Sequence, residues 1–208
     1  MHLAELSRTT GATTSSIKYW IREGILPPGA KRHATSAEYD RRHVDRIELI
    51  GVLRTELRVP MSGIADLTAL LDDPDVDFVV VQEQCQVLAL GLHRPPGPMI
   101  GPEHEKISAL CEELGWPDLP SWAREELAAI LHEYPGVDSD GWLRHYAHAL
   151  DSVAKGNVAV TSSSSDASRD RNAIDTLRGV ALTLRVERAI SAMAHASASI
   201  TRLSGGSR

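Results

Sequence analysis

The chain has 208 residues, of which 42% are hydrophobic, 24% charged and 4% aromatic, enough for one large core or two small ones. Apolar runs such as 87–92 fall far short of the roughly 20 residues a membrane helix needs, and no basic start leads into a signal-like apolar stretch, so a cytoplasmic protein without membrane contact is expected. Cys85 and Cys111 stand 26 positions apart, neither a disulfide framework nor a metal-ligand pair, and the net charge of −6 divides into +3 over residues 1–58 (10 Lys+Arg, 7 Asp+Glu) and −9 over residues 59–208 (12 against 21), which makes the basic end the one suited to a polyanion.

Apolar spacings of three and four dominate, with no convincing strand alternation, so the fold class is mainly α. In the first segment Leu3 and Leu6 give one apolar stripe, Gly11 a turn, and Thr13 or Thr14 a cap for a second helix. Ile17, Trp20 and Ile21 mark that helix's buried face, leaving Ser15, Lys18, Tyr19 and Arg22 on its surface. Gly24 ends it before Ile25-Leu26-Pro27-Pro28. A short basic segment, 29–39, with Lys31, Arg32 and His33, has the length of a small hairpin. Val44, Ile47, Ile50, Leu53 and Leu57 then predict a strong helix, and Ile64, Leu67, Leu70 and Leu71 another. Residues 1–73 thus read as helix, turn, helix, hairpin, helix, helix.

A two-helix unit of this kind suits the major groove of DNA, where the first residues of the second helix reach base edges and its neighbours hold phosphate. Thr14, Ser15 and Ser16 are the hydroxyls placed to donate or accept; Lys18, Tyr19 and Arg22 are placed for phosphate. That polar face alone fits an ordinary solvated helix equally well.

The order of elements and one residue pattern go further. Ala4-Glu5-Leu6-Ser7, Gly11-Ala12, Ser16-Ile17-Lys18-Tyr19-Trp20 and Arg22-Glu23-Gly24-Ile25-Leu26-Pro27-Pro28 follow E-L-A-x-x-x-G-V-x-x-x-T-L-R-Y-Y-E-x-x-G-L-L-P-P. This stretch resembles the N-terminal winged helix-turn-helix of the MerR family of bacterial transcription regulators, over about a third of the chain. The resemblance implies that the helix with Ser15, Lys18 and Tyr19 enters the major groove and that the hairpin around Lys31 and Arg32 is a wing on flanking phosphate. Two departures stand out: R-Y-Y is Lys18-Tyr19-Trp20 here, which keeps the charge and loses the guanidinium fork, and the wing's G-Y-R falls on Thr35, Ser36 and Ala37. Lys31, Arg32, His33 and Arg41 or Arg42 are the available substitutes.

The next segment, 74–94, reads as a connector helix. Phe78, Val81, Cys85, Leu88 and Leu92 are spaced 3, 4, 3, 4, a seam two heptads long. Such spacing fits packing onto the helix's own domain or onto a second copy; the resemblance implies antiparallel pairing with a two-fold mate, so a homodimer on a palindromic promoter site is expected. Cys85 in that seam is read as a buried, inert thiol, and no cysteine-rich loop follows to hold a metal. No metal and no cofactor are expected.

Arg94-Pro95-Pro96-Gly97-Pro98 cannot continue a helix and sets the domain boundary. Residues 95–208 read as one all-helical domain, with helices over 103–114, 121–134, 139–155 and 172 to about 203, and a mobile serine-rich loop near 161–170. The last helix carries Ile174, Leu177, Ala181 and Leu184 as its stripe, and its small-residue end, 192–199, permits close helix contact. Trp116, Trp122, Tyr134, Trp142 and Tyr146 cluster in this half and could line an effector pocket or simply pack a core. His145 and His148 share a helix face, but no H-E-x-x-H, G-x-S-x-G, P-loop or dinucleotide pattern accompanies them, so no catalytic residues are assigned and an enzyme is not expected.

These readings converge on a dimeric, sequence-specific, nucleoid-associated transcription regulator whose C-terminal half senses a small molecule or a protein. By resemblance, its dimer acts on promoters whose −35 and −10 elements are too far apart, distorting the DNA for RNA polymerase. An architectural or partner-binding protein without an effector is the alternative, and an enzyme tethered to DNA is a third possibility.

Overall fold

Left-handed glycines set the first turns. In the computed structural model, which describes residues 1–33, 36–92, 101–160 and 167–205 (without the side chains of 32, 33, 36, 138–140, 158–160 and 203–205), helix α1 (Leu3–Thr10) stops at Gly11, whose φ of 72° an L side chain rarely adopts. Thr13 caps α2 (Thr14–Arg22), its Oγ1 accepting from the Ser16 N–H at 3.1 Å. Ile17 and Trp20 are buried and Ile21 is half-buried, as their spacing predicts. Gly24, at φ 73°, turns the chain so that the Ile25 and Leu26 N–H groups both donate to the Trp20 carbonyl. Strands β1 (Ala30–His33) and β2 (Ser36–Glu38) pair antiparallel, forming the expected hairpin. A Cβ on Gly29 would stand 2.9 Å from the Glu38 carbonyl oxygen, so this position needs glycine for the chain to lie so close to β2.

Asp40 caps α3 (Arg41–Gly51) and closes a capping box with His43. The helix runs into a π-turn at Val52–Glu56 before α4 (Met61–Asp72) and α5 (Phe78–Leu90). Gly91, at φ 66°, follows the last residue of α5, so Leu92 lies beyond the helix and the connector is shorter than its apolar spacing suggests. The proline-rich break at 94–98 lies outside the described residues.

A separate unit follows, built of α6 (Pro102–Leu114), α7 (Trp122–Glu133), a 3-10 turn at Pro135–Gly141, and α8 (Trp142–Val160). Ile107, Cys111, Ala128 and Leu131 are its buried centre, with Leu127, Val137 and Leu143 against them. The helix expected over 139–155 thus starts later and ends later, because Pro135 and Gly136 favour a tight turn first.

The long helix α9 (Arg169–Gly205) brings the chain back to the first unit, made of residues 1–90 and 166–208. This corrects the expectation of one domain over 95–208, and of a loop reaching 170; residues 161–166 lie outside the described set. Ala173, Ile174 and Leu177, all 0% exposed, enter the same core as Leu6, Ile17, Leu26, Leu49, Ile50, Leu53, Ile64 and Leu67. They meet α5 there, and Val81 and Cys85 are also 0% exposed. The α5 seam is therefore filled by the chain's own α9: Phe78 and Leu88 are half-buried against the same core, and the Cys85 Sγ lies 3.9 Å from the Ala173 carbonyl oxygen. Burial pushes the Cys85 thiol up to about 12. Iodoacetamide at pH 8 is expected to alkylate Cys85 only after denaturation; rapid labelling of the native protein, located there by peptide mapping, would refute this packing.

Candidate nucleic-acid interface

The apolar face of α2 is held by the core, and the opposite face is polar and open. Thr14, Ser15, Lys18, Tyr19 and Arg22 are exposed, and Ser16 is half-buried. Around the cap, Thr13 Oγ1 lies 2.9 Å from both Ser15 Oγ and Ser16 Oγ, which fixes the hydroxyls at the start of the helix. One turn on, the Arg22 guanidinium sits 5.4 Å over the Tyr19 ring, and its Nε donates to Glu23 at 3.4 Å. Lys18 has no carboxylate partner among the described residues, so its charge is available to a polyanion. The structure thus gathers the six α2 residues singled out from the sequence on one helix.

The wing is less complete. Lys31 is exposed on β1, and Arg32 and His33 share that strand, but their side chains lie outside the described set, as does Thr35. Ala37 is half-buried on β2. Arg41 and Arg42 are open to solvent, yet Arg41 Nε donates to Asp45 at 3.0 Å and Arg42 Nη2 to Asp40 at 3.1 Å, so each carries its own counter-charge. Burial opposes ionisation of Asp40, and the hydrogen bonds with His43 and Arg42 outweigh it, bringing its pKa from 3.8 to about 2. Because the folded value lies below the unfolded one, this contribution to stability is complete above about pH 4 and lost as pH falls toward 2. Asp40→Asn should flatten that part of the acid limb in a pH series of denaturant melts; an unchanged limb would count against the capping box.

Sequence reasoning missed what supports the far end of α2. Arg46 on α3, 3% exposed, donates from Nη1 to the Ile25 carbonyl at 2.9 Å and from Nη2 to Asp72 Oδ1 at 2.6 Å, and its Nε donates to Asp170. Burial disfavours the charge on Arg46, and the bonds to Asp72 and Asp170 outweigh it, raising its pKa; burial likewise pushes the Asp170 carboxyl up in spite of the guanidinium. Around this centre, Arg169 Nη2 donates to the Leu70 and Val76 carbonyls, Ser168 Oγ to Asp45, and Arg171 to Glu48 in a two-point contact at 3.1 and 3.0 Å. The start of α9 is thereby tied to α3 and α4, and through Arg46 to the turn after α2.

The five aromatic residues in the second unit do not line either of the two cavities described in the first, of about 640 and 350 Å³. Trp142 and Tyr146 pack with ring centroids 4.6 Å apart and planes tilted by 34°, 49% and 39% exposed; Trp116 donates from Nε1 to Asp151 at 2.8 Å; Tyr134 is exposed and Trp122 half-buried. His148 Nε2 lies 2.8 Å from Glu113 Oε1, and His145 is exposed. No group of three or more His, Cys, Asp or Glu side chains is placed to hold a metal among the described residues, and no described helix is long and apolar enough to cross a membrane.

A core-docked second helix with a polar outer face, a tight glycine turn before it and a hairpin after it define a winged helix-turn-helix, the fold of a DNA-binding domain. Residues 1–71, about a third of the chain, match the family model described as MerR HTH family regulatory protein, a match that supports a transcription regulator. A solved structure of SCO5550, a proposed transcriptional regulator from Streptomyces coelicolor A3(2), is similar over 97% of both chains, with 22% identity and a TM-score of 0.61, a likeness of fold. No curated protein matches the sequence.

Proposed function

We propose that the protein is a dimeric regulator that reads a palindromic DNA site through α2 and carries the second unit as its sensing or partner-binding part. The open polar face of α2, with Lys18 free of a carboxylate partner among the described residues and on a helix anchored by Ile17 and Trp20, is the observation that carries this reading. Ser15 and Ser16 are assigned to base edges, Lys18, Tyr19 and Arg22 to phosphate, and Lys31 to the flanking backbone. The weakened wing shifts most of the affinity onto α2. Selection of bound sequences from random duplex DNA by the full-length protein should return an inverted repeat whose affinity falls with salt. Recovery of no motif, with no binding above background at low salt, would overturn the reading. Lys18→Ala should weaken binding to all sequences alike and reduce the salt slope by about 1; an unchanged slope in a fluorescence-anisotropy titration would remove Lys18 from the phosphate contacts.

For the second unit, one observation favours a protein over an enclosed small molecule. Trp142, Tyr146, Leu150 and Val153 lie at i, i+4, i+8 and i+11 along α8 and are 39–49% exposed, an open apolar strip rather than a pocket lining. A regulator with a partner-binding second unit, and no small effector, is thus the second reading. Thermal stabilisation of the full chain by a metabolite from a small-molecule panel would decide for an effector.

A further inference from the structure

The smaller cavity of the first unit, about 350 Å³, is a cleft between the turn at Gly11, α2, and the end of α3 with its π-turn. Its floor is apolar, with Ile47 and Ile50 at 5% and 0% exposure. Three side chains on its wall keep unused hydrogen-bonding groups. Trp20 is 6% exposed, and its Nε1–H meets no acceptor among the described residues. Arg54 is exposed without a carboxylate partner among the described residues, and the Thr55 hydroxyl has no partner among them either. The other hydroxyl, that of Thr10, is spent on the Leu6 carbonyl at 2.8 Å. No carboxylate among the described residues lines the cleft.

Gly51 keeps one side of the wall open. Its backbone is helical, with φ −60° and ψ −48°, and a Cβ there would meet nothing within 4 Å. Neither the backbone nor the packing asks for glycine at a position where most side chains would favour the helix. The space it leaves is unclaimed by the fold.

We infer that this cleft binds a small organic acid with an apolar body, its carboxylate held by Arg54, Thr55 and the Trp20 N–H. The two nitrogen donors call for an acceptor, and the uncompensated guanidinium calls for an anionic one, which a carboxylate meets as a two-point pair. Ile47 and Ile50 call for hydrocarbon behind the charge, which inorganic phosphate lacks. The volume is at the low end of small-molecule sites and admits one ring or a short chain. An occupant also relieves the buried indole N–H, since a buried donor is costly only while unsatisfied. The larger cavity, about 640 Å³, offers no such match: its Arg46 and Arg42 are already paired with Asp72, Asp170 and Asp40. Trp20 follows Tyr19 in α2 and Gly11 lies in the turn before that helix, so an occupant touches the elements that position its exposed face.

The inference goes beyond the proposed function, and its first test contains no DNA. Benzoate and hexanoate are the probes, each titrated into the full-length protein labelled with nitrogen-15. The Trp20 indole N–H resonance is expected to move downfield and saturate, with a Kd on the order of 1 mM for an acid of this size, while those of Trp116, Trp122 and Trp142 stay in place. Arg54→Gln, at an exposed position, should weaken binding by about tenfold, and benzamide, with the shape of benzoate and no charge, should bind more weakly by a similar factor. A Trp20 resonance unmoved by either acid up to roughly 20 mM, or equal affinity for benzoate in Arg54→Gln or for benzamide, would overturn the inference. Duplex DNA is the other source of anionic oxygen: a Trp20 resonance that responds to a duplex and to neither acid would give the cleft to a backbone phosphate and overturn the organic acid. Benzoate binding by a protein that selects no DNA motif would support the cleft and count against the operator reading alone.

Discussion

Arg46→Ala is expected to destabilise the first unit by about 3–5 kcal/mol, the usual cost of removing one partner from a buried ion pair. Bonds to three partners are lost together: the Ile25 carbonyl, Asp72 and Asp170. The cost is set less by those bonds than by what remains. Asp170, only 12% exposed, is left without its counter-charge, while Asp72, 43% exposed, can turn to water. Asp170→Asn should therefore cost less, because the amide oxygen can still accept from Arg46 and no charge is stranded. Arg46→Lys keeps the charge but cannot reach the carbonyl and two carboxylates from one ammonium, so it should fall between them. Denaturant melts followed by a probe in the first unit give the ordering, and the two units are expected to unfold in separable transitions. A loss below about 1 kcal/mol for Arg46→Ala, the range of an exposed pair, would mean that the cluster is solvated. DNA affinity should fall with stability, since Ile25 lies three residues beyond the end of α2.

What was legible in the sequence is what local physics decides. Gly11 and Gly24 mark turns because only glycine sits easily at positive φ, and Ile17 with Trp20 identifies the buried face of α2 by spacing alone. The exposed set Thr14, Ser15, Lys18, Tyr19 and Arg22 follows as the complement of that face. Long-range choices were not legible. The spacing of Phe78, Val81, Cys85 and Leu88 says that α5 has an apolar face, yet a helix of the same chain and a helix of another chain satisfy it equally. The answer depended on Ala173, Ile174 and Leu177, nearly 90 residues away, whose own stripe was assigned to a different domain. Arg46 was hidden for a similar reason. It sits beside Ile47 in a helix rich in charge, and its partners at 72 and 170 acquire meaning only once α9 returns to the first unit.

Leu177→Ala should cost about 2–5 kcal/mol, the range for truncating a buried leucine where the surroundings relax only partly. Leu177 is fully buried among α5 and the first unit's core, so its loss leaves a cavity behind Cys85. Leu182→Ala, five residues further along the same helix, removes as many methyl groups from a side chain that is 59% exposed, and in dilute protein it should change stability by no more than about 0.5 kcal/mol. The contrast locates the point at which α9 stops belonging to the first unit. Leu177→Ala should show its cost at every concentration, together with faster native-state alkylation of Cys85 as the α5–α9 contact opens. Equal costs for the two variants would mean that the helix is held along its whole length by its own chain.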